Sequence, residues 1–427
     1  MCNCDNHHDI DSELDRLLDR SFSRRNFLRT AAVGGLAGSG LALPGSLFGA
    51  EPGGLEEPEG VVSDFDGVVR IGYIPITDAA ALLVAHSEGY FEDEGLEVAD
   101  PQLIRGWSPL IESFAANRFN LVHLLKPIPL WMRYQNDFPV KIMSWAHTNG
   151  SAVVTGRHVD VQSFADLGGK SVAVPYWYSM HNVVMQMALR DAGLTPVIRD
   201  QGDALEAHEV NLMLMPPPDM PPALAARSID AYIVAEPFNA AGELLARGNV
   251  LRFTGDIWKN HPCCVVCMNE RLTTREPEWT QKVMNAVVRA QGTIQQDKKT
   301  VATMLSRDGK GYLPMPANVV ERAMTNYHDD STYADSGAIR HPEWENGRID
   351  FSPWPYPSAT KMLVGAMNET LVGGDTTFLE GLDPDFVTDD LVNYDFVRKA
   401  MEKHTAWQGA PGVDMDSPYA REEVVVL

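Results

Sequence analysis

From Val68 onward the chain alternates short apolar runs with longer stretches in which apolar residues recur every three or four positions. The runs LVHLL (121–125), SVAV (171–174), AYIVA (231–235) and CCVVCM (263–268) are continuous rather than alternating. Strands covered on both faces read that way, so these runs predict a mainly parallel sheet with helices on each side. VVRIGYIP predicts a further strand, and DAAALLVAHSEGYF carries apolar residues at helical spacing. Met180, Val183, Val184 and Met187 give another helix one apolar stripe, as do Trp279, Val283, Ala286, Val287, Ala290 and Ile294 further on. The predicted class is α/β, with ligands expected at the carboxyl ends of strands.

Length and charge narrow the functional classes. A chain of 427 residues is too long for one small core and suggests two or three domains. A formal charge of −23 argues against nucleic acid or an anionic membrane as partner. It leaves room for an anionic ligand, because a pocket can be locally positive on an acidic protein. Five cysteines, two of them at positions 2 and 4, do not make a disulfide framework.

The first fifty residues read as a targeting segment. SFSRRNFLRTAAVGGLAGSGLALPGSLFGA places Arg24-Arg25 before Phe27-Leu28 and a Gly/Ala-rich apolar stretch. That stretch is well short of the ~20 residues a membrane span needs, and the whole resembles a twin-arginine export signal. The expectations are a signal peptide over 1–50, an acidic linker over 51–65, the twin-arginine machinery as a partner and a periplasmic or other extracytoplasmic destination.

IGYIPITDAAALLVAHSEGYFEDEGLEV joins a strand, a polar turn and a helix to a Gly-Tyr-Phe…Glu-Gly-Leu-Glu-Val run. It resembles the opening of solute-binding proteins from bacterial nitrate, bicarbonate, sulfonate and taurine importers. The similarity continues through RGWSP, LVHLLKPIPLWM, VPYWYSMHN, PPPDMPPALAARSIDAYIVAEPFNA, GDIWKNHP and IDFSPWPYPSATKMLVGAM. It covers most of 68–400, and the later segments look nearest to the nitrate/bicarbonate branch. The resemblance implies a two-lobed periplasmic-binding-protein fold of type II with two hinge crossovers and a small-molecule ligand held between the lobes. It also implies ABC permease and ATPase subunits as partners. Crossings near Thr155 and Lys259 would make 66–155 and 259–427 lobe one, and 156–258 lobe two.

Several residues are candidates for the ligand. Trp107 precedes Ser108-Pro109, where a helix can start and offer free N–H groups to negative charge. Relatives place a ligand-contacting tryptophan here, although a Trp could equally cap a lobe core. His123 lies inside LVHLL, as a site residue or a satisfied core histidine. His181 opens a helix behind Tyr176, Trp177 and Tyr178 and can donate to an anionic oxygen; the resemblance implies ligand contact there too. Tyr176 and Trp177 could shield an organic group or pack between lobes. Glu236, between AYIVA and Pro237, either caps the next helix or faces the cleft. Ser151 offers a hydroxyl where nitrate-binding relatives carry glutamine. Relatives often have Glu-Lys after His-Pro; Cys263-Cys264 stand there instead, so Lys259 or Arg105 would have to supply the missing charge.

The cysteines pose a separate question. Cys264 and Cys267 have the spacing of a zinc knuckle, but the two valines between them favour an extended strand. Thiols three apart on a strand are about 10 Å distant and on opposite faces. Cys263 and Cys267 share a face at about 13 Å. Neither pair meets the ~7 Å that a disulfide requires, so the expectation is a buried strand with no metal and no cofactor. No nucleophile–base pair or phosphate loop stands out, which predicts a binding protein rather than an enzyme. Two alternatives stay open: a thiamine-pyrimidine-synthase-like enzyme, whose family shares the fold and a cysteine-rich run, and a ligand-sensing binding protein.

Overall fold

The computed structural model describes residues 65–328, 331–407 and 421–427. The twin-arginine segment, all but the last residue of the acidic linker, Cys2 and Cys4 lie outside the described residues. From Gly67 to Leu427 the chain forms one unit built on two sheets.

The five-stranded sheet runs in the order Gln102–Leu103, Ile71–Tyr73, Leu121–Leu125, Cys264–Asn269, Val140–Trp145. The six-stranded sheet runs Thr195–Val197, Glu209–Leu214, Ser171–Val174, Ala231–Ala235, Ser151–Thr155, Asn249–Phe253. The continuous apolar runs form strands buried along nearly their whole length, as the sequence pattern requires. The helix Pro277–Gln296 starts on a proline, whose missing N–H costs nothing in a first turn. Its stripe of Val283, Ala286, Val287, Ala290 and Ile294 is wholly buried, against the helices Ala80–Ser87 and Tyr394–Lys403. Among the described residues no helix is long and apolar enough to cross a membrane.

Both sheets are more mixed than the sequence pattern predicts. Leu121–Leu125 runs parallel to Ile71–Tyr73, and Ala231–Ala235 runs parallel to Ser171–Val174. Cys264–Asn269 and Ser151–Thr155, however, are antiparallel to their neighbours. The reason is connectivity. These two strands enter their sheets directly from the other sheet, so they begin at the edge where the βα-connected strands end. Cys264 therefore pairs with Leu125, and Ser151 with Ala235. An apolar run does not reveal which way it will be entered.

The chain passes from the five-stranded to the six-stranded sheet over residues 146–150, ahead of the crossing near Thr155 expected from the sequence. It returns over 254–263, which contains Lys259. The two passages lie side by side: the Asn149 N–H donates to the His261 carbonyl at 2.9 Å, and Thr148 bridges Pro262. Asn149 and Gly150 both take positive φ, 59° and 77°. A Cβ on Gly150 would come within 3.0 Å of the His147 ring and of Ile349, so this turn needs a residue without one.

Candidate functional site

Because the entering strands start where the others end, one edge of the molecule gathers polar residues from both sheets. The Leu121–Leu125 strand supplies His123 and is followed by Lys126. The Thr77–Ala79 turn supplies Asp78. His147 follows the Val140–Trp145 strand, Cys263 ends the returning passage and Cys264 opens the strand after it. From the other sheet come Ser151 and, in the first turn of the helix Met180–Asp191, His181. All of these are buried.

His181 is positioned by Ser179, whose side chain caps the helix by accepting from the Asn182 N–H at 3.0 Å. Its Nε2 lies 2.9 Å from Ser151 Oγ and 3.8 Å from Cys263 Sγ, while its Nδ1 has no protein partner. His123 Nε2 accepts the Ile74 N–H at 3.0 Å. That bond fixes the tautomer and leaves Nδ1–H as a buried donor without a partner. Burial, reinforced by the nearby His147, lowers the His123 ring to a pKa of about 3, so it stays neutral. The Trp107 indole meets His123 edge-on at 5.7 Å between centroids, and its Nε1–H is likewise buried and unpartnered.

Asp78 and His147 form a second group. His147 Nε2 is 2.8 Å from Asp78 Oδ2, and both side chains are fully buried. Burial pushes the Asp78 carboxyl up, whereas the Asp78 charge outweighs burial and raises His147 to about 10. Burial also raises a thiol, yet Cys264, His181 and His147 reverse this and hold Cys263 well below the usual thiol range. Cys264 moves the other way, pushed up by burial and by its bond to Cys263. Lys126 lies 5.5 Å above the Trp145 ring, with no hydrogen-bond partner for its amine, and burial lowers it to about 7.

Of the residues singled out in the sequence, Trp107, His123, Ser151 and His181 converge here. Tyr176 and Trp177 are half-buried against the apolar core, and a Cβ on Gly373 would come 2.7 Å from the Trp177 nitrogen. The neighbouring Tyr178, just ahead of the helix Met180–Asp191, stacks on Trp131 of the helix Pro127–Tyr134 at 5.6 Å. Glu236 is fully engaged elsewhere: it accepts from the Ala240 N–H at 3.0 Å and from Arg348 Nε at 2.6 Å. Lys259 stands 5.9 Å over the Trp344 ring. Arg105 is not among the buried residues at this edge. Sequence reading missed Asp78, Lys126 and His147. The available signal was their position, each just past the carboxyl end of a strand.

Two sheets linked by two adjacent passages, with polar groups gathered at the strand ends between them, define the two-lobed solute-binding class of α/β protein. The NMT1-like family matches residues 66–306, and the chain belongs to that family. It is similar to the nitrate/nitrite binding protein NrtA of Nostoc sp., 24% identical over 310 residues that span 68% of this chain and 67% of the relative. A stretch of 236 residues is 27% identical to the nitrate import ATP-binding protein NrtC of Synechocystis sp., covering 52% of this chain and about a third (34%) of NrtC. The crystal structure of the periplasmic nitrate-binding protein NrtA from Synechocystis PCC 6803 superposes with a TM-score of 0.66 at 17% identity, over 84% of this chain and 94% of that one. That likeness establishes the shared fold.

Proposed function

We propose that this protein is the exported solute receptor of an ABC importer, and that it binds a small anion or organic acid of the nitrate/bicarbonate/sulfonate class between its two halves. It releases the guest unchanged to a permease driven by ATPase subunits. Export by the twin-arginine route would deliver it, already folded, to the periplasm. In this reading the two sheets head the two lobes, and 146–150 and 254–263 act as the hinge between them.

The observation that carries this reading is the set of buried polar atoms without protein partners: Trp107 Nε1–H and His123 Nδ1–H from one half, and His181 Nδ1 from the other. A buried donor left unpaired costs about 1–3 kcal/mol. An oxygen-rich guest satisfies several at once, and Ser151 Oγ stands beside His181 to add a hydroxyl. The neutrality of His123 suits a singly charged guest, which needs oriented dipoles more than counter-charges.

The test is a thermal-shift screen against nitrate, bicarbonate and alkanesulfonates. A ligand at a hundred times its Kd should add about 2.7 kcal/mol of stability. Failure of the whole panel to stabilise the protein, or conversion of any member into a product, would sink this reading.

A further inference from the structure

We propose that Asp78, His147, Cys263 and Cys264 form a closed binding site for one thiophilic divalent cation of the zinc or ferrous type. Each of the four side chains offers one ligand atom, and these atoms all lie within 4.8 Å of one another. All four residues are fully buried. Two thiols, an imidazole and a carboxylate make a donor set that tetrahedral zinc and ferrous ions accept, and that calcium and magnesium do not favour.

The orphaned atoms point the same way. Asp78 Oδ1 and His147 Nδ1 have no hydrogen-bond partner, and the contact between Asp78 Oδ2 and His147 Nε2 is too poorly directed to satisfy either atom. A core of this burial rarely leaves a carboxylate and an imidazole so incompletely paired. Thiols three or four residues apart on a strand lie too far from each other to share one ion. The adjacent thiols are not so separated, because the strand begins only at Cys264 and Cys263 belongs to the irregular passage before it. Cys267 faces away within the strand and is not part of the group.

The position gives the site a mechanical role. His147 stands at the start of one inter-sheet passage and Cys263 at the end of the other, so a shared ion ties the two passages together. Cys263 Sγ also lies 3.7 Å from Ser151 Oγ and 3.8 Å from His181 Nε2, which puts the ion directly behind the proposed guest contacts. With four protein ligands it leaves no open position, so it acts as a clasp and not as a catalyst.

The test uses the full chain with Cys2→Ser and Cys4→Ser, which removes the leader's own thiols, stripped by chelator under reducing conditions and titrated with cobalt(II). One equivalent should produce tetrahedral d–d absorption and a thiolate-to-cobalt charge-transfer band, both erased by zinc. Cys264→Ser should weaken binding by at least about tenfold, whereas Cys267→Ala should leave the spectrum intact. Should the Cys264 variant not fold, X-ray absorption on the zinc-loaded protein still decides, because it should count two sulfur neighbours. An absent charge-transfer band, equal loss on Cys267→Ala, or a shell of nitrogen and oxygen alone would each overturn the site. None of these readouts depends on which solute the protein carries.

Discussion

Two buried charged clusters lie close together in this molecule, and they are built on opposite terms. In the first, Arg348 donates to Glu236 at 2.6 Å, to Glu243 at 2.9 Å and to the Tyr333 hydroxyl at 2.8 Å. Arg322 holds the other side of Glu243 at 2.9 Å, and Tyr333 donates to it at 2.6 Å. Both Glu236 oxygens are taken, and the Arg348 fork is filled. In the second, Trp107, His123, His147, His181 and Asp78 are equally buried, yet each keeps at least one polar atom without a protein partner. Desolvation penalises both clusters alike. The first recovers that cost from within the fold, and the second recovers it only in part. Burial and charge therefore do not tell the two clusters apart, whereas completeness of pairing does.

The largest expected effect falls on the saturated cluster. Arg348→Met strands Glu236 and Glu243 in the interior and should destabilise the fold by about 3–5 kcal/mol, read by chemical denaturation. A loss below about 1 kcal/mol would show that the ion pairs contribute little. The mirror experiment is His181→Ala, which should weaken guest binding about tenfold to a hundredfold through one lost charge-assisted bond. Its ligand-free melting should barely move. A large fall in melting with unchanged affinity would place that ring in the core.

Acid should distinguish the clusters as well. His123 has a folded pKa of about 3 against an ordinary 6.5, so below pH 6.5 the unfolded chain binds a proton that the folded protein refuses. Stability should then fall by about 1.4 kcal/mol per pH unit from this ring alone as pH drops from 6.5 towards 3. His123→Asn should flatten that part of the stability curve, and an unchanged acid limb would show that the ring is already protonated in the fold. The smallest effect belongs to Lys259→Ala. Its stacking on Trp344 is worth about 0.5 kcal/mol, and guest affinity measured by calorimetry should stay within about twofold. A tenfold loss would bring the lysine into the site.

How far the sequence reaches is visible in particular residues. LVHLL, SVAV, AYIVA and CCVVCM are short, mostly valine- or leucine-rich apolar runs, which suit strands covered on both faces, and the helix at His181 starts at Met180 because Ser179 can cap it. Trp107, His123, Ser151 and His181 were legible because each punctuates such an element. Glu236 looked identical by that rule, yet its fate turned on Arg348, 112 residues further along the chain. Periodicity and local propensity thus determined the α/β class and the residue types at the strand ends. Only the tertiary structure decided which way the two crossing strands run, and so which ends share an edge. That juxtaposition brings Asp78, His147 and the adjacent thiols together, because proximity between residues nearly two hundred positions apart arises from chain connectivity in space and leaves no periodic trace in the sequence.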